Sequence, residues 1–155
     1  MMMNLSCEVL KCLQGKTLVT AESCTGGGIG AALTAVPGSS DVFKGGVISY
    51  TNDVKADILQ VERALLNRVG AVSAPVAEAM AEGARKLLSA DIAVSVTGLA
   101  GPGADAFGNP VGTVFIGYAD DFGVTSEEYH FDGNRDIVRQ KTIDAALRLV
   151  LNMQK

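Results

Sequence analysis

Apolar positions along this chain fall at two spacings that alternate. Leu5, Val9, Leu10 and Leu13 lie one helical turn apart and predict a helix over 5–13. The short run 17–21 reads as a buried strand. Residues 27–35 read as a helix stopped by Pro37-Gly38. A strand over 42–50 follows, then a helix capped by Asn52 and running to about 59, and a short helix near 63–69. Ser73, with Pro75 two residues on, opens a helix whose inner face is Val76, Met80, Ala84, Leu87 and Leu88. Residues 91–97 read as a continuous buried strand. Residues 111–119 and 125–131 read as a hairpin around Asp120-Asp121-Phe122-Gly123. Asn134 caps a long last helix that turns Ile143, Leu147, Val150 and Leu151 inward. Early strands alternate with helices and a hairpin comes later. The order predicts an α/β fold, a three-layer α/β/α sandwich on a mixed, mostly parallel sheet. At 155 residues one domain over 1–155 is expected.

Composition narrows the partners. The net charge is -4, and between Lys86 and Arg135 there are seven acidic residues and no Lys or Arg. Such a chain is a poor match for nucleic acid or an anionic membrane. No apolar run approaches the ~18–20 residues of a membrane span. The N-terminus has neither the apolar core nor the cleavage site of a signal peptide, so a cytoplasmic protein is expected. Cys7, Cys12 and Cys24 are odd in number and lack a CxxC spacing, which argues against disulfides and against a metal site. The one histidine, His130, sits in a strand-like run among bulky residues and reads as a structural side chain.

Four segments carry candidate chemistry. In the first, residues 18–28, an apolar run stops at Glu22-Ser23-Cys24-Thr25-Gly26-Gly27-Gly28 and a helix begins. Ser23, Thr25 and the free N–H groups near Gly26 would gather at the positive end of that helix, a place for an anion. Neither a Walker A nor a GxGxxG pattern is present, and capping with close packing is the competing reading. The second is Pro37-Gly38-Ser39-Ser40 followed by Tyr50 and Lys55. Serine, tyrosine and a lysine of lowered basicity can together perform nucleophilic chemistry without histidine, though the spacing does not demand it. The third is the loop over 98–110, which opens with Thr97-Gly98-Leu99-Ala100-Gly101 at a strand's carboxyl end, where ligands bind in open α/β sheets. The fourth is Gly133-Asn134-Arg135-Asp136-Ile137-Val138-Arg139. Arg135 and Arg139 share one face of a helix start, a placement the dipole opposes unless an anion lies there. Pairing with Asp132 or Asp136 is the alternative.

Taken in order, these segments resemble the CinA C-terminal domain family, the nicotinamide-nucleotide amidases. The resemblance rests on Ala21-Glu22-Ser23-Cys24-Thr25-Gly26-Gly27, Pro37-Gly38-Ser39-Ser40, residues 43–52, Lys55, Gly70-Ala71-Val72-Ser73, Thr97-Gly98-Leu99-Ala100-Gly101-Pro102, residues 110–114 and Gly133-Asn134-Arg135. It implies hydrolysis of the carboxamide of nicotinamide mononucleotide, without metal or cofactor. It implies Ser40 as nucleophile, Lys55 as general base and Tyr50 as assistant, with Ser23, Thr97 and Arg135 holding the phosphate. Thr25, Gly26, Gly98, Gly101 and Arg139 complete the expected substrate contacts. The family's Tyr-Ser-Asn reads Tyr50-Thr51-Asn52 here, which keeps the hydroxyl. A small-molecule substrate and a homo-oligomer are expected. A non-catalytic nucleotide-binding module acting through a protein partner is the rival class.

Overall fold

The computed structural model describes residues 2–155. In chain order it contains α1 (Met2–Cys12), β1 (Leu18–Glu22), α2 (Gly28–Thr34), a single 3-10 turn at Ser39–Asp41 and β2 (Phe43–Ile48). Then come α3 (Asn52–Asp57), α4 (Arg63–Val69), α5 (Ala74–Leu87), β3 (Ile92–Gly98), β4 (Thr113–Asp120), β5 (Gly123–His130) and α6 (Arg135–Met153). The sequence pattern therefore located every α-helix and strand, with boundaries displaced by a few residues, but not the 3-10 turn at Ser39–Asp41. One cap moves: Thr51, not Asn52, precedes α3, and its hydroxyl accepts the Val54 N–H.

Five strands form one sheet in the order β2-β1-β3-β4-β5. β1 runs parallel to both β2 and β3, whereas β3–β4 and β4–β5 are antiparallel. The α/β sandwich is as expected, but the sheet is evenly divided rather than mostly parallel. The physical reason is what the connections contain. Parallel neighbours need a crossover that packs back over the sheet, usually through a helix, and only the segments carrying α2 and α3–α5 hold one. The chain from β3 to β4 makes a loop, and β4 to β5 a tight turn in which Asp120 pairs with Gly123.

Alternation along the strands splits the core into two layers. Leu18, Val94, Val96, Ile116 and Tyr118 face α1, α2 and α6 through Leu5, Val9, Ile29, Leu33, Val138, Ile143 and Leu147. Val19, Ala21, Ala93 and Ala119 face Val76, Met80, Ala81 and Ala84 of α5. Residues on this second face are small because α5 comes very close. The Ser95 hydroxyl donates to Ala77 O at 2.5 Å, and a Cβ on Gly117 would lie 2.4 Å from that same carbonyl. Among the described residues no helix is long and apolar enough to cross a membrane.

This topology sets where chemistry collects. After β1 the chain moves to one side of it to form β2, then crosses to the other side to form β3. The carboxyl ends of β1, β2 and β3 lie on one edge, at the switch point where a crevice opens. β4 begins at that edge, since Val114 pairs with Gly98, and β5 ends there, since His130 pairs with Thr113. α6 therefore starts beside the same crevice.

Candidate active site

The crevice is a cavity of about 440 Å³. Ser23 and Cys24 line it from the turn after β1, Tyr50, Asn52 and Lys55 from the end of β2 and α3, Thr97 to Gly103 from the end of β3, and Arg135 from α6. Ala71 and Val72, ahead of α5, complete the wall.

At its floor Lys55 is 1% exposed. Its Nζ lies 2.8 Å from Ser23 Oγ, 2.7 Å from Ser49 O and 3.5 Å from Tyr50 O. None of these partners is anionic, so burial acts almost unopposed and pulls the Lys55 pKa down to about 8. A neutral lysine amine has two hydrogens and one lone pair. The two carbonyls can take the hydrogens, which leaves the lone pair for the Ser23 hydroxyl. This is the geometry of a nucleophile with its general base. Cys24 also lines the cavity, and burial pushes its thiol up to about 11, so it is neutral near pH 7.

The turn bearing Ser23 is fixed from both sides. Glu22 ends β1 and turns its carboxylate under the turn. It accepts the Thr25 hydroxyl at 2.6 Å, Ile29 N–H at 2.8 Å and Gly30 N–H at 3.0 Å. Above the turn, the Arg139 guanidinium donates to Cys24 O and Thr25 O, both at 3.1 Å. Gly26 and Gly27 have φ of 59° and 102°, the left-handed conformation that lets the chain enter α2 within a few residues.

These contacts revise several expectations. The first turn of α2 does hold an anion, but that anion is the protein's own Glu22. Thr25 and Gly26 do not line the cavity, and the Thr25 hydroxyl is committed to Glu22. Arg139 is committed to the loop carbonyls. Ser40 does not line the cavity either: it is exposed in the 3-10 turn before β2, whereas the cavity lies beyond the far end of that strand. Five residue steps along β2 place the two ends ~17 Å apart. Ser40 is therefore not brought together with Lys55, and Ser23 takes the place beside the lysine.

The remaining expected residues do converge. Thr97, Gly98 and Gly101 line the cavity, although the Thr97 hydroxyl donates to Ala71 O at 2.9 Å. Arg135 bridges the opening, donating to Gly101 O at 2.8 Å and to the Tyr50 hydroxyl at 3.0 Å. Tyr50 thus meets Arg135 through its hydroxyl and Lys55 only through its carbonyl. Residue-type reasoning missed Glu22, Asn52 and the two carbonyls on Lys55. For Ser23 a signal was present: a serine immediately after a buried strand, at a sharp strand-to-helix turn, is the setting of a nucleophile elbow.

Comparison with known proteins agrees with this architecture. The CinA C-terminal domain model matches residues 3–154. The chain belongs to that family. It is 47% identical over 136 residues to a Pseudomonas putida protein named nicotinamide-nucleotide amidohydrolase PncC, covering 88% of this chain and 85% of that one. It is 50% identical over 151 residues to a CinA-like protein of Synechococcus sp. (strain RCC307), covering 95% of this chain and 36% of the relative. The chain thus spans about a third of the length of that CinA-like protein. Among solved structures of the family, a CinA superfamily protein from Klebsiella pneumoniae superposes with a TM-score of 0.96 at 30% identity, covering 99% of this chain and 98% of that one. A competence/damage-inducible protein from Agrobacterium tumefaciens gives 0.95 at 38% identity, covering 99% and 96%.

Proposed function

We propose that this CinA-family chain hydrolyses the carboxamide of nicotinamide mononucleotide to nicotinate mononucleotide and ammonia, with Ser23 as nucleophile and Lys55 as general base. The observation that carries the reading is the buried Ser23–Lys55 pair, 2.8 Å apart, at the floor of a cavity sized for a small nucleotide. The substrate class comes from the similarity to the Pseudomonas putida amidohydrolase.

Neutral Lys55 takes the Ser23 proton as Oγ bonds to the carboxamide carbon. The resulting tetrahedral oxyanion collapses, and Lys55 returns the proton to the departing nitrogen, which leaves as ammonia. Water then attacks the acyl-Ser23 ester and gives one proton to Lys55, which passes it to the departing Ser23 oxygen; the acid released loses its remaining proton to solvent and leaves as the carboxylate. The cationic pyridinium withdraws electrons from the carbonyl and favours attack. Its charge also opposes protonation of Lys55. With α2's first turn occupied by Glu22, the phosphate is assigned to the outer wall. Arg135 has five N–H donors, of which two serve Gly101 and Tyr50, leaving a fork for phosphate oxygens.

Ammonia release from nicotinamide mononucleotide tests this reading. Ser23→Ala should lower kcat by about 10³-fold or more, while Ser40→Ala stays within about twofold of wild type, as expected of a surface residue. A chain that binds the nucleotide in a thermal-shift assay but liberates no ammonia is a binding module instead. Phosphate in place of ammonia would indicate a phosphoester hydrolase.

A further inference from the structure

We propose that Glu22 is a positioning residue for the Ser23 nucleophile. Glu22 is almost fully buried, and neither Ser23 nor Lys55 is among its partners. What it binds is the far side of the turn on which Ser23 rides. One oxygen takes the Thr25 hydroxyl and the Ile29 N–H, and the other takes the Gly30 N–H. A single carboxylate therefore closes a ring from the last residue of β1, across Ser23, to the second and third residues of α2. Ser23 N–H is separately tied to Val96 O of β3 at 3.1 Å. Together these bonds fix the backbone on both sides of the serine. The Ser23 hydroxyl is then delivered to Lys55 by the turn's frame, with no bond of its own to any other side chain among the described residues.

The chemistry of the seat specifies a carboxylate. All three of its partners are donors, so an acceptor-only group satisfies every one of them. A glutamine of the same shape would turn an amide N–H₂ toward at least one donor, leaving that donor unpaired and the turn free to shift. A displacement of ~1 Å at a reacting atom is enough to cost about 10²-fold in rate. The inference rests on Ser23 being the nucleophile, and its test separates the two ideas.

The experiment pairs steady-state ammonia release with labelling by a small alkyl fluorophosphonate. This reagent phosphonylates an activated serine hydroxyl with loss of fluoride and needs no nucleotide recognition. In Glu22→Gln, kcat and the labelling rate at Ser23 should both fall by about 10- to 100-fold, and KM should stay within about threefold because no substrate contact is lost. Thr25→Val removes one of the three bonds and should give a smaller loss of the same kind, with Thr25→Ser restoring the rate. This pair decides the matter if Glu22→Gln does not fold. Wild-type kcat and labelling in Glu22→Gln or Thr25→Val, with only the melting temperature lowered, would overturn the proposal. So would a loss carried wholly by KM. If wild type labels at Ser23 and Glu22→Gln slows that labelling, while no ammonia comes from nicotinamide mononucleotide, the positioning role stands and the substrate reading fails.

Discussion

Lys55 is a buried amine whose partners are one hydroxyl and two carbonyls, and that environment dictates its titration. Removing an ammonium from water without giving it an anion lowers its pKa, here from 10.5 to about 8. Only the neutral amine can accept the Ser23 proton. Under the proposed mechanism kcat/KM should rise about tenfold per pH unit below pH 8 and level off above it. A profile flat from about pH 6 to 9 would remove Lys55 from the role of base. The same residue shows how far a sequence can be read. A lysine of lowered basicity at Lys55 was legible from residue types, because the chain offers no usable histidine. Which serine lies beside it was not. Ser40 and Ser23 both sit in glycine-containing turns, and the choice depends on strand direction, which puts one at the entry of β2 and the other at the exit of β1. Thr25 and Arg139 were legible as important. Their partners, a buried carboxylate and two loop carbonyls, exist only after folding.

Elements were legible because burial imposes its period on the sequence. α5 is a clear case, with Val76, Met80, Ala81 and Ala84 buried along one face, although Leu87, expected on that face, is exposed at the helix end. What spacing could not supply is how near α5 approaches the sheet. That distance is set by Gly117, Ser95 and Ala93 beneath it, small residues that read as undistinguished in a strand. A methyl group on Gly117 would meet Ala77 O at 2.4 Å and Ser95 Oγ at 2.5 Å, both held by the Ser95–Ala77 hydrogen bond. Neither atom is the free end of a flexible side chain, so relief requires moving the helix. Gly117→Ala should destabilise the fold by about 1–3 kcal/mol, read as a lower urea midpoint with unchanged slope. An unchanged midpoint would mean that α5 moves off the sheet without penalty. A mixed sheet and the β4–β5 hairpin were legible, but the antiparallel β3–β4 pairing was not, for a related reason: the loop over 98–110 reads as long and glycine-rich, but not as a connection returning along its own strand.

At the scale of the molecule, the cavity is assembled from segments far apart in the chain, and Arg135 is where they are joined. Its guanidinium reaches Tyr50 beyond β2 and Gly101 beyond β3 while its backbone belongs to α6, so one side chain ties together three of the segments that line the cavity. The two bonds orient the planar fork before any ligand arrives, and pre-orientation of that kind lowers the entropy lost on binding a phosphate. A lysine would keep the charge but could not hold both partners and a phosphate in one plane. Substrates with and without a phosphate should therefore respond differently to one substitution. With nicotinamide mononucleotide, Arg135→Ala should raise KM by about 10- to 100-fold with a smaller change in kcat, because the phosphate is remote from the bond being broken. With the corresponding nucleoside, which has no phosphate, the same substitution should change kcat/KM by only about two- to threefold, the share owed to the Tyr50 and Gly101 bonds. Steady-state kinetics on both substrates measure the difference. Equal losses for nucleotide and nucleoside would show that Arg135 acts only as a strut between the walls, and would move the phosphate seat to the backbone N–H groups of the glycine-rich loop after β3.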